Sequence, residues 1–141
     1  MAEYPPSVGA KSLLTTHVVT SGWTIEIGAL PDSPNKLITI NDTGGTIPNP
    51  KWLLDYPSVQ IMVRGEINGY LATFREAKAV KDLLLGVTSQ NLNGDRWVSV
   101  LMNGDMAFIG RDESERPLFS MNFSLIIEPQ SVTNSNRLAL T

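Results

Sequence analysis

The sequence predicts an α+β fold: a mostly antiparallel β-sheet with an amphipathic helix, and a second N-terminal helix, packed on one face. Three observations carry this. Residues 68–86 place Tyr70, Phe74, Ala77, Val80 and Leu84 at steps of three and four, the stripe of a helix with one apolar side. Residues 119–127 alternate Phe119, Met121, Phe123, Leu125 and Ile127 with Ser120, Asn122 and Ser124, as a strand with one packed face does. The elements run helix, strands, helix, then a three-strand antiparallel meander.

Residues 7–20 read as the first helix. Pro5 and Pro6 precede it, Ser7 can cap it and Gly22 follows it. Ala10, Leu13, Leu14, His17 and Val18 make one face, although the β-branched run around Thr15–Thr20 leaves a strand open. Residues 23–27 form a short strand, Pro31-Asp32-Ser33-Pro34-Asn35 a turn, and residues 36–41 a strand with Ile38 and Ile40 on one side. Residues 46–57 hold three prolines with Trp52 and Tyr56, the composition of a long ordered loop. Residues 58–64 form a clean strand, with Val59, Ile61 and Val63 inward and Gln60, Met62 and Arg64 outward. In the helix over 68–86, Asn68 caps the start, Gly86 ends it in a left-handed turn, and Lys78 and Asp82 stand one turn apart. A polar connection over 87–95 leads to a strand over 96–102. The pair Asn103-Gly104 then reads as a two-residue hairpin turn, because both residues tolerate positive φ. Residues 106–109 return, and 111–116 are a charged loop before the last strand. Residues 1–129 make one domain, and 130–141 have little to bury and are expected to be a flexible tail.

Composition narrows the function. The chain has 141 residues, enough to bury a core without staples. It has no Cys, so disulfides and thiolate metal sites are excluded, which suits a reducing cytosol. A net charge of −3 and a pI near 5.0 argue against a duplex-DNA binder held by phosphate neutralisation. No apolar run approaches the ~20 residues of a membrane span, and the N-terminus lacks the pattern of a signal peptide. Gly9-Ala10-Lys11-Ser12 resembles the end of a phosphate-binding loop but lacks the earlier glycine and a preceding strand. His17 is the single histidine and has no second metal-type donor near it in sequence, so no cofactor or metal is expected.

One catalytic arrangement competes. Residues 37–44 have the strand-then-Asp-Thr-Gly form of an aspartic protease, and Phe108-Ile109-Gly110-Arg111-Asp112 resembles the second segment of retroviral-type proteases. A dimer would bring two Asp42 carboxylates together to share one proton. Against it, Asn41 stands where an apolar residue belongs. The stretch after Arg111 is a loop, and an amphipathic helix occupies the place of flap and sheet. Asp42 then reads as a turn residue.

A different resemblance covers nearly the whole domain, about residues 12–129. It is carried by Leu30-Pro31-Asp32-Ser33-Pro34, Asp42-Thr43-Gly44-Gly45 and Tyr56-Pro57-Ser58-Val59-Gln60-Ile61-Met62-Val63-Arg64-Gly65. Further pieces are Leu92-Asn93-Gly94-Asp95-Arg96-Trp97, Gly104-Asp105, Ile109-Gly110-Arg111-Asp112 and Arg116-Pro117-Leu118-Phe119-Ser120-Met121-Asn122-Phe123. In their order and spacing these resemble the bacteriophage minor capsid proteins that act as tail terminators. The resemblance implies a structural virion protein with no catalytic residues. Such a protein forms a homohexameric ring that caps the tail tube, stops its polymerisation and meets the head-side connector. DNA passes through such a ring without specific binding, no membrane is involved, and assembly takes place in the host cytoplasm. Ring contacts are expected from loops and sheet edges. The candidates are Thr43, Ile47 and Trp52 in one loop, and Arg111, Asp112, Glu113, Glu115 and Arg116 in another.

Overall fold

The computed structural model describes residues 4–17, 22–49 and 54–129. The elements are α1 (Pro6–Thr16), β1 (Thr24–Ile27), β2 (Leu37–Asp42), β3 (Ser58–Arg64) and α2 (Tyr70–Leu85), then β4 (Gln90–Leu92), β5 (Asp95–Met102), β6 (Ala107–Arg111) and β7 (Pro117–Glu128). The strands form one sheet of order β1-β2-β3-β7-β5-β4, with β6 also paired to β7. Every pairing is antiparallel except β1 with β2, so the α+β expectation holds with one parallel edge.

Strand β7 organises the sheet, because its alternating apolar residues meet their partners in register. Val59 stands opposite Phe123, Ile61 opposite Met121 and Val63 opposite Phe119. Ile38 and Ile40 continue the same face on β2, opposite Val63 and Ile61. Both helices cover this face: Ala10, Leu13 and Leu14 of α1 and Ala77, Val80 and Leu84 of α2 join one buried cluster with it. Each large side chain so buried contributes roughly 1.5–3 kcal/mol. On the other face, residues 28–36 cover the start of β2. Thr39 donates to the Ala29 carbonyl at 2.7 Å, and the Arg64 guanidinium donates to the carbonyls of Pro34 (2.7 Å) and Asn35 (3.2 Å). Thr39 and Arg64 are therefore buried, where alternation had put Arg64 outward. Further along that face Asn122 is exposed, and Gln60 and Ser124 are half-buried.

The helices differ from expectation in register. Helix α1 begins one residue earlier and ends at Thr16, and Ser7 lies inside it, buried, instead of capping it. The acceptor at its start comes from the far end of β2. The Asp42 carboxylate takes hydrogen bonds from the Ser7 N–H (3.0 Å) and hydroxyl (2.6 Å). A carboxylate there also meets the positive end of the helix dipole. Asp42 is thus a strand residue serving a helix, and the turn reading is corrected. Gly9 is explained by packing: a Cβ there would stand 2.5 Å from the Trp97 ring. His17 is exposed, and Val18, expected on the same apolar face, lies outside the described residues.

In α2 the buried residues are Thr73, Ala77, Val80 and Leu84. The stripe holds over the last three turns, but at the first turn Thr73 takes the inner place and Tyr70 and Phe74 fall to the rim, Phe74 being 36% exposed. Asn68 does not cap the helix, and Gly86 ends it with φ −89°, not in a left-handed turn. The Lys78–Asp82 ion pair forms at 2.6 Å.

The hairpin turn lies at Asn93-Gly94, ten residues before the expected Asn103-Gly104. Strand β4 lies inside the expected polar connection and is joined to β5 by Asn93-Gly94, with φ 52° and 88°. Both values are positive, as a two-residue hairpin turn requires. At Asn103-Gly104 only Gly104 has positive φ, 73°. No hairpin forms there: β3 holds one side of β7 over 118–124, so β5 (on 123–128) and β6 (on 117–120) lie end to end along the other. They are two halves of one interrupted strand. The Asn103 N–H donates to the Asn122 carbonyl at 2.9 Å, holding the interruption against β7. Residues 130–141, expected as a flexible tail, lie outside the described residues.

Candidate functional site

The two candidate loops sit at opposite ends of the strands. Thr43 follows the end of β2 and its backbone N–H donates to Ser58 at the start of β3, while its hydroxyl meets the Ser58 hydroxyl at 2.6 Å. A bridge between Thr46 and Tyr56 closes the base of the loop and leaves Ile47 projecting, 88% exposed. Trp52 lies outside the described residues. Beside this loop is a cleft of about 280 Å³ lined by Tyr4, Pro6, Thr46, Tyr56, Trp97 and Ile127. Four separate stretches of chain meet there, so no local pattern in the sequence announces it.

The second loop joins β6 to β7, beside Arg64 and the turn with the cis Ser33–Pro34 bond. The length of β3, seven residues, separates it from the first loop by roughly 20 Å. Its charges are unequal in role. Asp112 Oδ1 accepts the N–H groups of Ser114 (3.0 Å) and Arg116 (2.9 Å), and Oδ2 accepts Arg116 Nε at 2.8 Å. Arg116 also reaches the Asp32 carbonyl, Asn35 Oδ1 at 3.1 Å and Asp32 Oδ1 at 2.8 Å. Burial would raise the Asp112 pKa, but the hydrogen bonds from Arg116 outweigh it and hold the carboxyl below its usual range. Burial likewise opposes charge on Arg116, and its bonds to Asp32 and Asp112 more than offset that. Asp112 and Arg116 are therefore a clasp that ties this loop to the turn over 32–35. Glu113 and Glu115 point outward, and Arg111 Nη1 donates to the carbonyls of Ile67 and Glu115, both at 3.0 Å.

A third surface joins Tyr70, Phe74 and Phe119, whose spacing reads as core, to Phe108 of β6. Tyr70, Phe108 and Phe119 pack ring to ring with centroids 5.1–5.5 Å apart, and Phe74 meets Phe119 at 5.9 Å. Phe119 is buried; Tyr70, Phe74 and Phe108 are exposed, as are Ile67 and Ile109 beside them. This aromatic rim lies along β6, whose outer edge pairs with no described strand. Among the described residues no group of His, Asp and Glu is arranged to hold a metal ion, and no helix is long and apolar enough to cross a membrane.

This architecture recurs in a virion. A chain in a structure titled "Virion of native gene transfer agent (GTA) particle" superimposes with a TM-score of 0.61, over 86% of this chain and 93% of that one. At 16% identity the likeness is one of fold. Curated proteins yield no match. The family model described as "Bacteriophage tail terminator protein" matches residues 11–129, taking in the second half of α1, all of α2, all seven strands and both loops. The chain belongs to the bacteriophage tail terminator family.

Proposed function

We propose that this protein is a single domain over residues 1–129 that assembles as a ring of six on the end of a phage tail tube. There it stops tube polymerisation and joins the tail to the head-side connector, while DNA passes through without specific binding. The observation that carries this reading is the family match across residues 11–129. The placement of the two loops supports it. A ring capping a tube needs one surface for the tube and another for the connector, and loops about 20 Å apart at the two ends of one sheet can serve them. Ile47 and its neighbours offer an apolar contact at one end, and Glu113 and Glu115 an acidic one at the other. A retroviral-type protease through Asp42 fits less well, because that carboxylate is turned onto Ser7 at the start of α1 and not toward a twin across a two-fold axis.

Native mass spectrometry and a polymerisation assay test the proposal together. Six chains of 15.4 kDa, about 92 kDa, are expected as the closed species. Added to polymerising tube protein, it should stop growth with electron-microscopic density at one tube end. A tight dimer that cleaves peptides, with cleavage abolished by Asp42→Asn, would establish the protease instead.

A further inference from the structure

We infer that the ring of the proposed function, on which this reading rests, closes by setting the β6 edge of one copy against the β1 edge of the next. These are the two ends of the strand run β1-β2-β3-β7-β6. Four inter-strand spacings separate them, about 19 Å, so one copy cannot join its own edges. A contact between two different edges is heterologous, the kind that generates rings.

The β6 edge is built to be covered. Ile109 is 51% exposed, and Phe108 stacks with Tyr70 over a rim that continues to Phe74 and Ile67. An apolar strand with an open edge is a template for pairing with another chain. The neighbouring edge of β4 is three residues long, Gln90-Asn91-Leu92, and mostly polar, so it invites no such contact.

Charge and backbone select β1 as the occupant. Arg111 stands exposed at the end of β6, and two β6 edges brought together would set like charges near each other. Strand β1 carries the half-buried Glu26, which has no hydrogen-bond or ion-pair partner among the described residues. Around it Ile25 and Ile27 are half-buried and Leu30 is exposed, giving an apolar surface to meet Ile109 and Phe108. The backbone agrees. The N–H groups of Thr24 and Gly28 bond inward to Lys36 and Ile40, so by strand alternation the polar groups of Ile25 and Ile27 point away from β2.

The absence of cysteine from the chain makes the test direct. A Glu26→Cys/Ile109→Cys double variant is treated with a bismaleimide too short to span the two positions within one copy. The expected result is a ladder of covalent multimers ending at the closed ring, with neither single variant cross-linking. Ile109→Asp, at an exposed position that leaves folding intact, should convert rings to monomers. Wild-type rings with no ladder, rings that survive Ile109→Asp, or dimers from Ile109→Cys alone would each overturn the interface while leaving the ring standing. A wild-type chain that stays monomeric at every concentration would remove the ring, and this interface with it.

Discussion

Among the described residues, Glu76 is a carboxylate whose surroundings oppose its charge. It sits on α2 partly buried, with Oε2 shielded from solvent and without a hydrogen-bond partner. Burial pushes its pKa up to about 7, opposed by the Lys36 charge. The sign of the pH effect follows. The folded pKa lies above the ordinary value of 4.5, so the folded state holds an extra proton between the two. Its contribution to stability is full below pH 4.5 and is lost as pH rises through 7. Glu76→Gln should remove this slope. Allowing for solvent screening, it should be more stable than wild type at pH 8 by about 1–2 kcal/mol, read from urea midpoints. Arg116 is the opposite case, a charge whose surroundings satisfy it through four guanidinium hydrogen bonds. Arg116→Ala should cost about 2–4 kcal/mol, because Asp112 loses its partner in a half-buried loop. Arg116→Lys should recover only part of this, since an ammonium cannot reproduce the guanidinium fork. Denaturation curves for the pair check the claim.

At the scale of the element, α2 shows how a stripe read from sequence can be right along most of its length and wrong at one end. Leu84 is fully buried against the sheet, whereas Phe74 lies at the rim. Leu84→Ala should therefore cost about 2–5 kcal/mol. Phe74→Ala should cost about 1–2 kcal/mol, from partial burial and one aromatic contact with Phe119. The larger residue should matter less, and equal losses in thermal or urea unfolding would return Phe74 to the core. Two of the three Asn-Gly pairs, Asn93-Gly94 and Asn103-Gly104, make the same point for turns. Each has the composition of a hairpin, but only Asn93-Gly94 adopts the double positive φ. The Asn103-Gly104 pair interrupts a strand whose two halves both pair with β7.

For the whole molecule, charge becomes an assembly property. In the proposed ring, six copies at −3 each would carry −18, and DNA threading it would meet like charge over about a Debye length, ~8 Å at physiological salt. Of the acidic run over 112–115, only Glu113 and Glu115 are free to face a lumen, since Asp112 is held by Arg116. Glu113→Lys/Glu115→Lys should leave the fold and the rings intact. If these residues line the channel, the variant ring gains DNA binding that weakens as salt is added, and particles eject their DNA poorly. Mobility-shift titrations at two salt concentrations, with infectivity, check this. Rings that bind no DNA and give fully infective particles would place the loop on the outer rim.

Periodicity by itself determined where the main elements lie and which side of each is apolar. Strands β3 and β7 and most of α2 were legible because an alternating or three-four pattern has one cheap solution, burial of its apolar side. The order and spacing of short motifs from Leu30 to Phe123 pointed to the family. Other features depended on partners far away in the chain. Asp42 reads as a turn until Ser7 is placed against it 35 residues earlier. Asp112 and Arg116 read as a solvated loop until Asp32 and Asn35 arrive beside them. Tyr70 and Phe74 read as core until Thr73 takes the inner position. Local sequence records what a side chain prefers, but burial and hydrogen bonding are settled by which distant segment is packed against it, and only the tertiary structure brings those segments together.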